Sequence, residues 1–245
     1  MNKKIVTLIF LSLATIAFGQ EPILNASKML ELQSANMSLG SAGISADMKA
    51  YNRVYLNSEN NKWEISYDDI EGSPFLSKMF SPVKIDGVPN TEQMRYNIHA
   101  DQLEINKNDE IFVFPKSSSY TKFSFINSKE VVQYLDTKDE NTGYFLELSS
   151  GKNRVYKKLK IDFDQGSKAK SGYEETKDPQ FSKGTPQYYI KKADGNFIKN
   201  PKTNKDILDN YTDKSQKLNE FFKSNRIKYN NEGDLKKLVV FLDTL

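Results

Sequence analysis

The only histidine is the first residue to consider for catalysis, because imidazole changes its charge near neutral pH. His99 lies two residues before Asp101, and an Asp–His pair orients a general base when the two side chains meet. The neighbouring residues alternate as in a strand, with one apolar face formed by Met94, Tyr96, Ile98 and Ala100. We therefore expect His99 on the opposite, solvent-facing side with Arg95, Asn97 and Asp101, and a bulge near Asp101 and Gln102.

Serine nucleophiles activated by lysine occur in Ser-x-x-Lys motifs, and this spacing appears at 119–122, 149–152 and 167–170. Lys170-Ser171-Gly172 also resembles a companion motif of that class. In penicillin-binding proteins and β-lactamases the serine opens a buried helix, and a Ser-x-Asn element lies between the two motifs. Here the serines lie in predicted turns, and no Ser-x-Asn lies between Ser119 and Lys170. We interpret these matches as chance products of a Ser- and Lys-rich chain.

Three groups of acidic residues have spacings that occur in calcium loops or glycosidases. They are Asp162-x-Asp164-x-Gly166, the set Asp136, Asp139, Glu140 and Asn141, and the set Asp68, Asp69 and Glu71. The first two lack the regular ligand series and the distal bidentate Glu, and the third has its carboxylates too close in sequence to face one another across a substrate. We interpret all three as turn acids.

The absence of cysteine and the single histidine exclude several kinds of site. Zinc–thiolate sites, redox dithiols, cysteine nucleophiles and metal sites with two or three histidines are impossible. Gly-rich phosphate loops, dinucleotide fingerprints and nucleophile elbows are missing as well. We therefore predict no catalytic, cofactor-binding or metal-binding residue, and a protein that is not an enzyme.

The first nineteen residues have the three parts of a secretory signal peptide. Lys3 and Lys4 precede an apolar run over 5–18, and Ala17-Phe18-Gly19 offers small residues to a signal peptidase. The run is shorter than the ~20 residues that span a bilayer. We expect export to the periplasm, the cell surface or the medium, with no lipid attachment, since cysteine is absent, and no membrane span after cleavage.

Charge is unevenly distributed along the chain. Residues 20–150 have 12 basic and 19 acidic side chains, a net of −7, whereas residues 151–205 have 14 and 6, a net of +8. A basic stretch of this kind attracts an anionic partner such as acidic glycan or lipid headgroups, or it packs beside the acidic half. Nucleic acid is not an expected partner, because the chain has no recognised nucleic-acid-binding motif.

The elements that must position these residues are mostly strands. Residues 20–50 are poorly patterned and predict a loosely ordered lead-in, and residues 51–200 predict a β-rich domain with a mobile loop at 165–186. A long strand is predicted over 155–163, a strand near Trp63, and shorter ones at 80–85, 110–114, 122–126, 131–135, 144–148 and 187–191. Residues 201–245 follow the helical period, with Asn230 or Asn231 as cap of the last helix.

These patterns predict an α+β protein: an antiparallel curved sheet or partial barrel with a small C-terminal helical cap packed on the sheet. Without disulfides, the domain must be stabilised by burial, for which thirteen Tyr and fifteen Phe are available.

Several short motifs resemble those of a family of uncharacterised exported proteins from Bacteroidetes. They are Gly72-Ser73-Pro74-Phe75-Leu76, Met94-Arg95-Tyr96-Asn97, Asp101-x-x-Glu104, Gly143-Tyr144-Phe145 and Asp234-Leu235-Lys236-Lys237-Leu238. The resemblance covers most of the mature chain and implies export, but it implies no activity and no site residues.

Three hypotheses for function follow from these observations. The first is a non-enzymatic binding protein for an anionic envelope component, based on the basic region 151–205. The alternative is a carrier of a lipid-like apolar ligand in a cavity between sheet and helices, based on the aromatic content. A hydrolase that uses His99 or the acidic clusters is the third, and it has the least support.

Cleavage after Gly19 predicts that the exported protein begins at Gln20, a residue that readily cyclises to pyroglutamate. The intact mass of protein recovered from outside the cytoplasm should equal that of residues 20–245, with or without loss of ammonia. A mass that still includes residues 1–19 would contradict cleavage and indicate an N-terminal anchor.

Overall fold

The computed structural model describes residues 48–245, apart from 59–60, 118, 168 and 170–174, together with two short strands at 38–39 and 44–45. The predicted signal peptide therefore lies outside the described residues, and so does most of the predicted lead-in. No helix in the described part is long and apolar enough to cross a membrane.

Seventeen strands and three α-helices are present in the described part, with 3₁₀ turns at Tyr67–Asp69 and Thr212–Lys214. The strands are β1 Ser38–Leu39, β2 Ile44–Ser45, β3 Met48–Lys49, β4 Arg53–Ser58, β5 Asn61–Ser66, β6 Ser81–Ile85, β7 Thr91–Asn97, β8 Gln102–Lys107, β9 Glu110–Val113, β10 Lys122–Phe125, β11 Val131–Leu135, β12 Gly143–Glu147, β13 Arg154–Lys158, β14 Ile161–Asp164, β15 Gln180–Lys183, β16 Gln187–Lys191 and β17 Phe197–Lys199. The helices are α1 Asn204–Leu208, α2 Ser215–Ser224 and α3 Glu232–Leu242.

Eleven of these strands form one open antiparallel sheet in the order β17-β16-β13-β12-β11-β10-β6-β7-β8-β9-β3. Two hairpin series, β6–β9 and β10–β13, meet where β6 pairs with β10. The predicted strands at 80–85, 110–114, 122–126, 131–135, 144–148 and 187–191 agree with β6, β9, β10, β11, β12 and β16 to within one residue. The prediction of a mostly antiparallel sheet is confirmed, since neighbouring strands of the main sheet pair in antiparallel orientation. The strands were predictable because their two-residue period follows from burial on one face.

The main sheet buries its central core on one face. This core includes Val83, Ile85, Met94, Tyr96, Leu103, Ile105, Phe112, Phe123, Val132 and Tyr144, all essentially inaccessible to solvent. Burying each large apolar side chain contributes roughly 1.5–3 kcal/mol. A chain without cysteine is therefore stabilised here by aromatic and aliphatic packing.

The three helices pack at the β16–β17 end of the sheet and form the predicted helical cap. Buried residues of α3 at helical spacing, Leu235, Leu238, Val239 and Leu242, meet Val155, Ile190 and Ile198 of the strands. Asn231 caps α3, its side-chain oxygen accepting a hydrogen bond from the Asp234 backbone at 3.0 Å.

A two-stranded sheet, β14–β15, differs from the sequence prediction. Instead of one strand over 155–163, the chain leaves the main sheet after Lys158, and β14 pairs with β15 inside the segment predicted as a mobile loop. Phe181 of β15 explains the difference, because it is buried against Tyr67, Ile70 and Phe75 in a small aromatic cluster. Because residues 165–186 are rich in Gly and Pro, their pattern predicted a loop and not the short strand β15.

Buried tyrosines make the fold sensitive to alkali. Burial raises the pKa of Tyr189 and of Tyr211 to about 12, and it raises the pKa of Tyr96 well above its usual value. The unfolded chain loses these protons near pH 10, whereas the folded protein retains them. The stabilisation from these groups is thus complete below pH 10 and is lost as the pH rises from 10 to 12.

We therefore expect the melting temperature to fall steeply from pH 10 to pH 12, measured by circular dichroism. Tyr189→Phe should make the fall less steep, because the variant has one fewer hydroxyl group whose pKa is higher in the folded state than in the unfolded state. A melting temperature that stays constant over this range would contradict the prediction.

Candidate functional site

His99 lies in the turn between β7 and β8 and not on a strand. Residues Ile98–Asp101 form this turn, in which the Asp101 backbone N–H donates to the Ile98 carbonyl at 3.2 Å, so the expected bulge is a hairpin turn. The imidazole is half-buried, lies against the rings of Tyr67, Phe163 and Phe181, and places Nδ1 3.3 Å from the Ile161 carbonyl oxygen. The prediction of a solvent-facing histidine is wrong, because β14–β15 covers the turn.

Asp101 makes its contacts away from His99. Its carboxylate accepts hydrogen bonds from Tyr96 Oη at 2.8 Å and from Lys158 Nζ at 2.8 Å, and Lys116 Nζ lies 3.0 Å from the second oxygen. The backbone N–H of Tyr144 also donates to it, at 3.2 Å. Hydrogen-bond donors surround Asp101, and the Asp–His pair considered above does not form.

Lys158 is the buried cation of this cluster. Burial lowers the pKa of its ammonium, and the Asp101 carboxylate opposes that shift. Nζ also donates to the Tyr144 carbonyl at 3.1 Å. A Cβ atom at position 143 would lie 1.9 Å from the Asp101 carboxylate, so the cluster requires Gly143, which has a φ of +155°. We interpret the cluster as structural, since each of its charges is satisfied within the fold.

The face of β7–β8 expected to be wet is buried. Arg95 and Glu104 are cross-strand partners whose side chains meet at 2.8 Å, and Glu104 is fully inaccessible. Asn97 donates to Glu104 at 2.9 Å. With its amide oriented to satisfy its neighbours, Asn52 donates to Glu104 at 2.7 Å and accepts from Arg95 at 2.8 Å. The guanidinium lies 3.7 Å from the centroid of the Phe75 ring.

This network corrects the prediction that Arg95 and Asn97 are solvent-facing. Alternation placed both residues on the face opposite the core, but the chain around Asn52 and Phe75 folds over that face. The network therefore fastens the β4–β5 region to the main sheet, and we assign it a structural role.

The acidic groups organise turns. Asp139 accepts from the Thr137 hydroxyl at 2.6 Å, the Asn141 backbone at 3.0 Å and Tyr189 Oη at 3.0 Å, and Lys199 lies 3.1 Å away. Asp164 accepts from the Gly166 backbone at 3.0 Å. Asp68 and Asp69 are exposed on the 3₁₀ turn after β5. Within the described residues, no group of three or more His, Cys, Asp or Glu side chains is placed to hold a metal ion.

The three Ser-x-x-Lys matches lie in different surroundings. Ser149 Oγ accepts a hydrogen bond from the Val155 backbone at 2.8 Å, which closes the β12–β13 turn. Lys122 extends from β10 and lies 3.0 Å from Glu147. Ser167 is in a bridge with Lys177, while Lys170 and the companion motif lie outside the described residues. Ser149, Lys122 and Ser167 thus have structural contacts.

A cleft of about 760 Å³ lies between β14–β15, the segment 72–78 and the ends of β12 and β13. Its floor is apolar and is formed by Phe75, Leu76, Ile98, Leu146, Ile161 and Phe181. The walls carry four lysines, Lys78, Lys157, Lys160 and Lys183, and one acid, Glu130. The volume is within the ~300–1,000 Å³ typical of sites for small organic ligands.

Within the described residues, three of the four cleft lysines form no ion pair with an acid. Lys157 donates to Glu232 of α3 at 2.7 Å. In the described part of the chain, no carboxylate lies within 4 Å of the ammonium of Lys78, Lys160 or Lys183. These ammonium groups, beside an apolar floor, give the cleft an excess of positive charge.

The cleft is fixed by contacts of the segment 74–76 with the β7–β8 hairpin. The Pro74 carbonyl accepts from the Ile98 backbone at 2.8 Å, and the Leu76 backbone donates to the Tyr96 carbonyl at 2.9 Å. Ser73 Oγ accepts a hydrogen bond from the Phe75 backbone N–H at 3.2 Å, which forms a tight turn around Pro74. The Gly72–Leu76 motif thus lines the cleft, with Phe75 and Leu76 in its floor.

The sequence indicated only part of this site. The basic excess over 151–205 includes Lys157, Lys160 and Lys183. The apolar floor was missed, because its residues come from five separate stretches of the chain and each also appears in a strand or turn pattern of its own.

Comparison of the chain with protein-family models, with curated proteins and with solved structures found no match. The resemblance to exported proteins of Bacteroidetes stays a prediction, and function must be inferred from the cleft itself.

Removing one partner of the Arg95–Glu104 pair should destabilise the protein strongly. Glu104→Leu leaves the Arg95 guanidinium without its carboxylate, which typically costs about 3–5 kcal/mol when the pair is buried. The free energy of unfolding, measured with urea, should fall by that amount. The matched control is Glu110→Ala, which removes the exposed pair with Lys49 and should cost less than about 1 kcal/mol. Equal losses for the two variants would contradict a structural role of the network.

Proposed function

We propose that this protein binds a small anionic amphiphile, an acyl chain with a carboxylate or phosphate head, without catalysing a reaction. The observation that supports this most directly is the apolar floor of the cleft, bordered by ammonium groups of which three have no carboxylate within 4 Å in the described chain. A purely apolar ligand would leave these ammonium groups without a counter-ion, and a purely polar anion would leave the apolar floor exposed to water.

The two parts of the site contribute differently to binding. Each methylene buried on the floor contributes about 0.8 kcal/mol, so the acyl chain supplies most of the affinity. Lys160 directly precedes β14 and Lys183 is the last residue of β15, and either can meet the head group as a flexible, hydrated cation. The lysines therefore select the charge of the head, and the floor selects the acyl chain.

This site joins the two leading hypotheses from the sequence. The basic region 151–205 supplies three lysines for an anionic ligand, as in the first hypothesis. The apolar ligand of the second hypothesis is retained, but its site is the outer cleft, because the described residues of the helices pack directly against the strands. Neither His99 nor Asp68 and Asp69 line the cleft, which favours binding over hydrolysis.

We also propose that the main sheet curves into a partial barrel. Tyr96 in β7 and Tyr144 in β12 are four strand positions apart, which is ~19 Å in a flat sheet. Their ring centroids are 5.9 Å apart, and Tyr96 Oη lies 3.3 Å from the Tyr144 carbonyl oxygen. These distances support strong curvature around a filled core, which leaves the ligand to the outer cleft.

Export, also a proposal, agrees with a ligand of this kind. A protein that begins with the signal described above meets acyl chains and anionic head groups in the envelope or the medium. We propose that it acts there, as a carrier or a sensor of free amphiphiles.

The proposal predicts a charge-selective binding series, measured by isothermal titration calorimetry on residues 20–245. Dodecanoate and dodecyl phosphate should bind, dodecanol should bind much more weakly, and dodecyltrimethylammonium should not bind. Lys160→Gln with Lys183→Gln should weaken dodecanoate binding by about tenfold, or 1.4 kcal/mol. The bound probe should be recovered unchanged by mass spectrometry.

The matched control is Lys205→Gln with Lys217→Gln, which removes the same charge from exposed positions on α1 and α2 and should leave the affinity as it was. Binding of dodecanol as tight as that of dodecanoate would contradict the role of the lysines. Absence of binding by both anionic probes would overturn the proposed function.

A further inference from the structure

Two exposed apolar side chains lie in segments that contribute residues to the cleft. Met79 is 76% exposed and Ile126 is 51% exposed, although both are large and hydrophobic. Met79 comes two residues before β6, and the Ile126 backbone donates to the carbonyl of Pro82, the second residue of β6, at 3.0 Å. We call residues 77–80 and 126–130 the rim.

The rim borders the cleft. Ser77, Lys78 and Glu130 line the cleft, and Met79 and Ile126 belong to the same two segments. A surface bound by these two segments would therefore lie next to the cleft.

Both parts of the rim are held in place by hydrogen bonds. The Lys129 backbone N–H donates to the Phe125 carbonyl, and the Phe125 backbone N–H donates to the Glu130 carbonyl, both at 2.9 Å. These bonds close a tight turn that begins at Ile126. In the other segment, Arg95 donates to the Lys78 carbonyl at 3.1 Å, and its guanidinium lies 4.5 Å from the centroid of the Phe80 ring. Met79 and Ile126 are thus presented to solvent by ordered turns.

The charges of the rim are mainly positive. Lys78 and Lys129 are exposed beside the two apolar side chains, and the single acid, Glu130, is half-buried and faces the cleft. Apolar side chains flanked by lysines are the combination that binds anionic lipid surfaces, where each basic residue contributes about 1 kcal/mol. An acidic protein partner would match the lysines but would leave Met79 and Ile126 without an apolar counterpart.

We propose that the rim docks the protein on an anionic lipid surface and so places the cleft next to the source of its amphiphile. The docking is argued from the rim alone, whereas the transfer of a ligand from that surface rests on the proposed function. Met79 and Ile126 enter the interface between head groups and acyl chains, and Lys78 and Lys129 contact phosphates.

The experiment is co-sedimentation of residues 20–245 with vesicles of phosphatidylcholine alone and of phosphatidylcholine mixed with phosphatidylglycerol. The protein should partition onto the mixed vesicles and not onto the neutral ones, and added salt should weaken the binding. Met79→Ser with Ile126→Ser should lower the partition coefficient by about tenfold, because the apolar contribution is lost. Val240→Ser, at a position 65% exposed on α3, is the matched control and should leave partitioning unchanged.

Dodecanoate titration separates this inference from the proposed function. The Met79→Ser and Ile126→Ser variant should still bind dodecanoate, which also shows that it is folded. If it binds dodecanoate and partitions like the unmodified protein, docking by the rim is overturned. If the unmodified protein fails to bind dodecanoate, while the rim substitutions still lower its partitioning onto vesicles, the proposed function fails and the docking surface stands.

A second readout locates the rim in the lipid. Trp63 is the only tryptophan, so Met79→Trp in a Trp63→Phe background reports on position 79 alone. Brominated lipids should quench this fluorescence in mixed vesicles. Absence of quenching in vesicle-bound protein would overturn the assignment of the rim as the contact surface.

Discussion

The fold depends most on the contact between Asp101 and Lys158, because it joins parts of the chain that are distant in sequence. The Asp101 carboxylate accepts hydrogen bonds from Tyr96 Oη in β7, from Lys158 Nζ in β13 and from the backbone N–H of Tyr144 in β12. A buried ammonium without this carboxylate would be strongly unfavourable, so the pair fixes the positions of three strands together. It also fixes the end of β13, since Lys158 is the last residue of that strand.

The cleft follows from where β13 ends. Immediately after Lys158 the chain leaves the main sheet, and Leu159 and Lys160 cross to β14. The small sheet then packs its aromatic side against His99 and Tyr67, so it stands beside β12 and β13 without pairing with them. The cleft lies between the two sheets and the segment 72–78, and Lys160 lines it at the crossing.

The sequence predicted the elements better than their surroundings. Alternation located six of the seventeen described strands to within one residue, and the asparagine at 231 located the cap of α3, because those signals are local. Alternation says which residues share a face but not which distant segment covers it, so Arg95 and Asn97 were expected in water and Glu104 was not recognised as buried. Phe181 was missed for the same reason: its partners Tyr67 and Phe75 lie more than a hundred residues earlier. Of the site, only the excess of lysine was visible.

The outermost strand on the cap side, β17, is three residues long, and Pro201, which has no backbone N–H, follows two residues after it. A short edge of this kind offers another chain almost no row of free amides to pair with. A protein that has many exposed backbone edges polymerises when it is crowded on a surface. This edge therefore gives a second copy of the chain almost no backbone through which to extend the sheet.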